Sequence, residues 1–243
     1  MLIDRCLICD NVCDSHFLCP SCFATLQSET FNTFMSRCPV CYYPIVGKEY
    51  SCPRCLKATA KGKENFPVYC VSTYDGNLSY SVLQRFKFKN DKKLANVVAY
   101  MLNQGLEVLD PRKSAIIVPI PCSKTSLRKR GWDQMKEVSK YLGREVLDLL
   151  EVSSNATGQQ KLLDRSQRLS KTSKRYEFSK KYNLKETLSH IAGRQIILID
   201  DVSTTFSTLT AAREALKKIG LEEVKAVVWL YDLKAERLDS NRN

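Results

Sequence analysis

Paired cysteines are the most constraining feature of this chain. Four Cys-x-x-Cys pairs occur within the first 55 residues, and they are Cys6/Cys9, Cys19/Cys22, Cys38/Cys41 and Cys52/Cys55. Two cysteines separated by two residues can direct both sulfur atoms at one ion, and two such pairs complete the tetrahedral shell of a structural zinc site. The eight cysteines therefore predict two zinc ions. Four thiolates leave no open coordination position, so we expect both ions to be structural.

The order of the pairs suggests how they are shared between the ions. We expect neighbouring pairs to share an ion, the first with the second and the third with the fourth, although the spacing also allows an interleaved arrangement. Cys13 and His16 lie between the first two pairs, and we interpret them as bystanders. An iron–sulfur cluster or a redox role is the alternative for the paired cysteines. Cys70 and Cys122 stand apart and are typical of buried thiols.

The beginning of the chain and its apolar segments bear on its location. Residues Met1–Cys6 lack the basic and apolar regions of a signal peptide. No stretch approaches the roughly 20 apolar residues that a membrane span needs. These features predict a cytoplasmic protein without a membrane span. In a reducing compartment, clustered cysteines are more often metal ligands than disulfides, which favours the zinc interpretation.

Charge is distributed unevenly along the chain, whose formal net charge is +12. Up to Leu56, four basic residues face five acidic ones, so the basic excess belongs to the rest of the chain. Between Arg112 and Lys181 there are 17 Lys or Arg and 7 Asp or Glu, with Tyr176 and Phe178 interleaved. Basic groups with aromatic side chains suit single-stranded nucleic acid, and a solvated surface loop is the alternative. The residues expected to contact nucleic acid are Lys161, Arg165, Arg168, Lys171, Lys174 and Arg175.

The hydrophobic pattern divides the chain into a cysteine module over residues 1–58 and a domain over residues 66–243, joined by a polar, Lys-rich linker. In the domain, apolar strands alternate with helical patterns, which predicts an α/β fold with a mostly parallel sheet and helices on both faces. The expected strands are Val68–Tyr74, Ala115–Ile120, Gln195–Ile199 and Val224–Tyr231. The expected helices are Asp91–Leu109, Gly131–Leu150 and Ser207–Ile219.

The segment from Asp200 to Thr208 (the 200–208 segment) bears most directly on function. An apolar strand runs into two adjacent carboxylates, and a hydroxyl-rich turn then leads into a helix. Amides and hydroxyls at a helix N-terminus suit a phosphate. The carboxylates would repel phosphate itself, but they can accept hydrogen bonds from sugar hydroxyls or help to hold a metal. The pattern predicts a ribose 5-phosphate site made by Asp200, Asp201, Ser203, Thr204, Thr205, Phe206, Ser207 and Thr208.

The 200–208 segment resembles the phosphoribosyl-diphosphate (PRPP) motif of type I phosphoribosyltransferases, in which two acidic residues meet the ribose hydroxyls. Further features, in this order, are similar to those of the ComF/GntX family, a family with a member that acts in DNA uptake during natural transformation. They are the cysteine pairs, Leu83–Phe88, Val118–Pro121 followed by Arg128–Gln134, and Gln159-Gln160 followed by Arg165 and Arg168-Leu169. The resemblance covers nearly the whole chain.

The resemblance implies a type I phosphoribosyltransferase-like fold preceded by a small zinc-ribbon module. It also implies binding of PRPP together with Mg²⁺, binding of single-stranded DNA, and a DNA-uptake helicase or another protein partner bound through the zinc ribbon. Basic groups and Mg²⁺ absorb the charge of a departing pyrophosphate. The candidates for the pyrophosphate side are Arg128, Lys129, Arg130 and Lys87.

The sequence departs from the family pattern in ways that affect the functional prediction. Trp132-Asp133 replace the usual Phe-Asn, which is a mild change. Phe206 stands where the motif normally carries glycine, so its ring either narrows the pocket or points away from it. Thr204 occupies the position where purine transferases carry an acidic base. The alternatives to a DNA-uptake role are therefore a transferase with an unidentified acceptor and a non-catalytic PRPP-fold regulator or interaction module.

Overall fold

A computed structural model describes residues 5–13, 17–31, 36–45, 52–60, 65–153 and 175–232. Its helices are α1 (Pro20–Ser28), α2 (Pro53–Ala60), α3 (Asn77–Phe88), α4 (Ala95–Leu109), α5 (Lys124–Arg130), α6 (Gln134–Ser139), α7 (Leu184–His190) and α8 (Ser207–Lys217). Its strands are β1 (Ser36–Arg37), β2 (Pro44–Ile45), β3 (Val68–Thr73), β4 (Ile116–Pro119), β5 (Leu150–Val152), β6 (Tyr176–Phe178), β7 (Ile196–Ser203) and β8 (Val224–Tyr231).

A four-stranded sheet with the order β3-β8-β7-β4 forms the centre of the molecule. Its neighbouring strands are parallel throughout, which confirms the predicted α/β fold with a mostly parallel sheet. Strands of parallel sheets are covered on both faces and are therefore apolar almost without interruption. Strand β8 shows this pattern, since seven of its eight residues are buried.

Side chains that alternate along the strands build a hydrophobic core on each face of the sheet. On one face, Ile197 and Val227 pack with residues of α3, α4 and α6 and with three of the first four paired cysteines, Cys6, Cys19 and Cys22. On the other face, Leu198 and Ala226 pack with residues of α8 and with the last two cysteine pairs. The cysteine module therefore contributes to both cores.

The cysteine module reaches both faces because it lies along strand β3. The Val68 amide donates to the Cys41 carbonyl at 3.1 Å, and the Thr73 amide donates to the Glu29 carbonyl at 3.4 Å. Arg37 donates from Nη2 to the Cys70 carbonyl at 2.7 Å. The module thus supplies hydrogen-bond partners along the side of β3 that faces away from β8.

Helix α3 is also attached to the module. The Glu29 carboxylate accepts hydrogen bonds from the amides of Leu78 and Ser79, each at 2.8 Å, and so supplies partners for the first turn of α3. Near the other end of α3, Arg85 donates to the carbonyls of Leu7 and Ile8 at 3.0 and 2.7 Å. These contacts fix α3 at both ends.

The prediction of one helix over Gly131–Leu150 is wrong. Gly131 has φ 78° and ends α5, and the Asp133 carboxylate then caps the short helix α6. Gly143 has φ 63°, and the chain beyond it runs beside β4, where the Leu147 amide donates to the Ile117 carbonyl at 3.0 Å. Long-range pairing and two left-handed glycines override the helical periodicity.

The other element boundaries differ by smaller amounts. Strand β7 continues beyond Ile199 to Ser203, so both carboxylates belong to the strand. Helix α2 extends to Ala60, past the expected end of the cysteine module. Helices α3, α5 and α7 and strands β5 and β6 were not predicted. Among the residues described, no helix has the length and hydropathy needed to cross a membrane.

Candidate functional site

The eight paired cysteines form two groups of four. The first tetrad is Cys6, Cys9, Cys19 and Cys22, and the second tetrad is Cys38, Cys41, Cys52 and Cys55. Neighbouring pairs share a tetrad, as expected, and Cys13 does not belong to either group. Within each tetrad the ligand atoms lie within 4.8 Å of one another.

The geometry of the tetrads is compatible with zinc. The Sγ atoms of Cys9 and Cys19 are 3.6 Å apart, and those of Cys38 and Cys55 are 3.8 Å apart. Zinc–sulfur bonds of about 2.3 Å in a tetrahedron place the sulfurs about 3.8 Å from one another. Burial raises the pKa of Cys22, and the neighbouring thiols of its tetrad raise it further. Such a thiol is held protonated until a cation replaces the proton, so metal binding should release protons.

A cleft of about 200 Å³ opens where strands β4 and β7 end. Parallel α/β sheets bind their ligands at this edge. The cleft brings together five of the residues predicted for the PRPP and pyrophosphate sites, which are Asp200, Asp201, Thr208, Lys87 and Arg130. It also contains Arg175, which the sequence assigned to a nucleic-acid surface.

The two carboxylates of the cleft differ in their surroundings. The Asp201 carboxylate forms an ion pair of 2.8 Å with Lys87 Nζ, and the Asp201 side chain is only 7% exposed. Asp200 has a different environment: desolvation and the negative charge of Asp201 raise its pKa to about 8, while Lys87 acts in the opposite direction. The pair therefore carries one ion-paired carboxylate and one that holds its proton near neutral pH.

Two arginine side chains also line the cleft. Arg130 donates from Nη1 to the side-chain oxygen Oε1 of Gln134, and Arg175 donates from Nη1 to Thr208 Oγ1 at 3.4 Å. Arg128 and Lys129, also predicted for the pyrophosphate side, are exposed on α5 and do not line the cleft. The helix thus directs one of its three consecutive basic residues at the cleft and two at solvent.

Two buried polar groups of the cleft lack partners among the described residues. They are the Tyr176 hydroxyl and the Gln134 side-chain nitrogen, and both side chains are at least nine-tenths buried. A buried donor without a partner costs about 1–3 kcal/mol, so such groups commonly mark the place of a ligand or an ordered water. Sequence reasoning missed both as site residues. The Arg130–Gln134 motif was a signal for Gln134, whereas Tyr176 was noted only as an aromatic among basic residues.

The 200–208 segment continues from the cleft into α8 through a tight turn. The Phe206 amide donates to Ser203 Oγ at 3.1 Å, and Thr205 Oγ1 donates to Ser207 Oγ at 3.1 Å. Among the described side chains, none forms a hydrogen bond that caps the N-terminus of α8. The first amides of an uncapped helix need another partner, and a phosphate is well suited to them. Thr204 is exposed and contributes no carboxylate.

Phe206 adopts the backbone conformation that glycine normally provides. Its φ of 56° and ψ of 6° are left-handed, which a residue with a Cβ atom adopts only at a cost. The ring does not line the cleft but lies in the core, 6% exposed, and stacks on Tyr231 with 4.7 Å between ring centroids. Of the two alternatives that the sequence left open, the ring therefore points away from the pocket.

Most of the predicted nucleic-acid surface lies outside the described residues. This applies to Lys161, Arg165, Arg168, Lys171 and Lys174. Near the cleft, the described basic surface is on α5, where Lys124, Arg128 and Lys129 are exposed. No acidic residue occurs in that helix.

The chain is similar to known proteins along nearly its whole length. Residues 127–242 match the family model described as "Phosphoribosyl transferase domain". Competence protein F of Haemophilus influenzae is 26% identical over 216 residues, covering 87% of this chain and 88% of that protein. Competence protein ComFC of Bacillus subtilis is 28% identical, with coverage of 84% and 79%. DNA utilization protein YhgH of Escherichia coli K12 is 26% identical, with coverage of 83% and 86%.

These matches agree with two independent features of the structure. The first is the pair of cysteine tetrads at the beginning of the chain. The second is a mostly parallel sheet that carries the acidic pair and the hydroxyl-rich turn of the 200–208 segment at the carboxyl end of a strand. The sequence matches, the tetrads and this phosphoribosyltransferase-like domain together support assignment of the chain to the ComF family.

Proposed function

We propose that this protein supports DNA uptake by binding PRPP in the cleft at Asp200–Thr208 and single-stranded DNA on its basic surface. The observation that carries the PRPP part is the arrangement of charges in one cleft of about 200 Å³. Two carboxylates, suited to ribose hydroxyls, line this cleft together with Arg130 and Arg175, which are suited to phosphate oxygens.

The position of Phe206 supports retained binding. Its ring leaves the cleft free, and its backbone has a left-handed conformation of the kind that glycine adopts without strain. The uncapped amides of α8 are then available to the 5-phosphate. Mg²⁺ would enter with the diphosphate, and the two tetrads would each hold one structural zinc ion.

The DNA part rests on charge and on the similarity of the chain to competence and DNA utilization proteins. The formal net charge is +12, and α5 carries four basic residues beside the cleft. Relatives of this chain are named as competence and DNA utilization proteins. Neutralising phosphates releases counterions, so binding to single strands should weaken steeply as salt is raised.

Calorimetry with Mg²⁺–PRPP tests the first part of the proposal. We expect the native protein to bind and Asp200→Ala/Asp201→Ala to lose binding, with ribose 5-phosphate as a weaker competitor. Absence of binding by the native, zinc-loaded protein would refute PRPP as the ligand. Pyrophosphate released in the same samples would show turnover and would support the transferase alternative.

Fluorescence anisotropy with a labelled oligo-dT tests the second part. Arg128→Gln/Lys129→Gln should weaken binding and reduce the slope of log affinity against log salt by about 1.4, at about 0.7 for each lost phosphate contact. The matched control is Arg112→Gln/Lys113→Gln, which removes the same charge next to the opposite end of strand β4. Equal losses in both variants would show that net charge, and not the surface at α5, determines binding.

A further inference from the structure

Arg54 connects the second tetrad to the 200–208 segment. It lies between Cys52 and Cys55, in the first turn of α2. Its guanidinium carbon is 4.3 Å from the centroid of the Phe206 ring, and Arg54 itself is only 8% exposed. A desolvated cation over an aromatic ring is among the stronger contacts of this kind.

Other contacts fix the position of Arg54. Its Nη2 donates to the Phe66 carbonyl at 3.3 Å, and its own carbonyl accepts a hydrogen bond from Asn65 at 2.9 Å. Tyr43, which follows Cys41 by two residues, packs edge-on against Tyr231, the ring on which Phe206 stacks. The second tetrad thus reaches the Phe206–Tyr231 pair through two side chains of the module.

The backbone of Phe206 belongs to the turn that would hold the 5-phosphate. Its amide donates to Ser203 Oγ at 3.1 Å, and its carbonyl accepts from the Thr210 amide at 2.8 Å. A left-handed residue with a side chain persists only where its surroundings hold it in place. Around Phe206, those surroundings are the core, Tyr231 and Arg54.

We propose that Arg54 is a positioning residue for the PRPP site: it holds the Phe206 ring, and thereby the phosphate-binding turn, in a conformation that depends on the metal-bound second tetrad. The inference rests on the proposed PRPP site. Arg54 would thereby link the second tetrad to the proposed ligand site. The first tetrad, which packs on the other face of the sheet, has no such contact with Phe206 among the described residues.

The variant Arg54→Met tests the inference because it keeps an unbranched apolar stem and removes the charge over the ring. We expect Mg²⁺–PRPP to bind about three- to tenfold more weakly, in line with the range of cation–π contacts. Arg54→Lys should recover most of the affinity, since it retains a cation. Both variants should keep the zinc content of the native protein, measured by atomic absorption.

Arg37→Met is the matched control. Arg37 is also a module arginine over an aromatic ring, at 3.7 Å from the centroid of Tyr69, and it donates to the carbonyls of Tyr42 and Cys70, which do not belong to the 200–208 segment. We expect it to lower stability without a comparable loss of PRPP affinity. An equal loss in Arg37→Met and Arg54→Met would overturn the inference, because general docking of the module would then account for both.

A double-mutant cycle isolates the route through Phe206. In a Phe206→Gly background the ring is absent, so Arg54→Met should change PRPP affinity by less than about twofold. A full Arg54→Met effect in that background would contradict a role through the ring. If Arg54→Met does not fold, Arg54→Gln removes the charge while keeping a planar polar group for the Phe66 carbonyl.

Hydrogen exchange separates this inference from the PRPP assignment. Loss of the Arg54 contact should reduce the protection of the Phe206 and Thr210 amides whether or not PRPP binds. If Arg54→Met reduces protection but the native protein does not bind PRPP, PRPP is not the ligand, and the coupling between Arg54 and the turn at Phe206 still holds. Unchanged protection and unchanged affinity in Arg54→Met would refute the coupling and leave the PRPP site in place.

Discussion

Phe206 affects stability in two ways: its buried ring stabilises the fold, and its left-handed backbone destabilises it. Replacement of the residue distinguishes these two effects. Truncation to alanine removes a buried ring that packs on Tyr231 and Arg54, and such changes cost about 3–5 kcal/mol. The alanine also retains the left-handed strain, because φ is 56°. Glycine loses the same ring but escapes a strain of about 1–2 kcal/mol, partly offset by its freedom in the unfolded chain.

We therefore expect Phe206→Gly to be about 1 kcal/mol more stable than Phe206→Ala, although both are less stable than the native protein. Inside an ordinary helix the order is the reverse, with glycine about 1 kcal/mol worse than alanine. Urea unfolding monitored by circular dichroism gives both free energies. In a thermal melt, a loss of about 4 kcal/mol corresponds to a lowering of Tm by about 8–15 °C.

The same variants test whether the ring obstructs the cleft. Because the ring is in the core and glycine accepts the left-handed turn, Phe206→Gly should still bind Mg²⁺–PRPP, weakened about three- to tenfold by the loss of the contact with Arg54. Equal stability of the alanine and glycine variants, or greater stability of alanine, would refute a left-handed residue at 206. Binding that appears only in Phe206→Gly would refute the outward orientation of the ring.

Two further predictions follow from the acidic pair and from the tetrads. The raised pKa of Asp200, about 8, means that the folded protein keeps a proton that the unfolded chain releases above about pH 4, so stability is lost as pH rises through this window. The stability of Asp200→Asn relative to the native protein should therefore increase from pH 4 to pH 8, by at most about 1.4 kcal/mol per pH unit. A constant difference across this range would contradict the raised pKa of Asp200. Cys9→Ser and Cys55→Ser should each lower bound zinc from about two ions to about one, whereas Cys13→Ser should leave it unchanged, as measured by metal analysis after gel filtration. Loss of zinc in Cys13→Ser would show that the first tetrad has a different ligand set.

Local sequence patterns predicted those parts of the structure that depend on local geometry. The spacing of the cysteine pairs predicted the tetrads, because two residues between ligands suit one ion. The run Val224–Tyr231 predicted strand β8 with both ends correct, since a short apolar run of this kind is typical of a buried strand. The order of strand, acidic pair and turn placed the 200–208 segment at the carboxyl end of a parallel strand.

Contacts between distant segments could not be predicted in this way. Lys87 reaches Asp201 because α3 is fixed against the module, and Tyr176 reaches the cleft because β6 pairs with β5. Neither contact leaves a periodic signal in the sequence. The direction of the Phe206 ring could not be predicted for the same reason, because the ring packs on Arg54 and Tyr231, which are far from it along the chain.

The hydrogen bonds between the cysteine module and β3 have a consequence for the integrity of the whole chain. Strand β3 is the outermost strand of the sheet, and the module occupies its free amides and carbonyls at Val68, Cys70 and Thr73. An uncovered outer strand is a template for pairing with other polypeptides. Removal of residues 1–58 should therefore expose a surface prone to self-association, so we expect the module to protect the rest of the chain from aggregation.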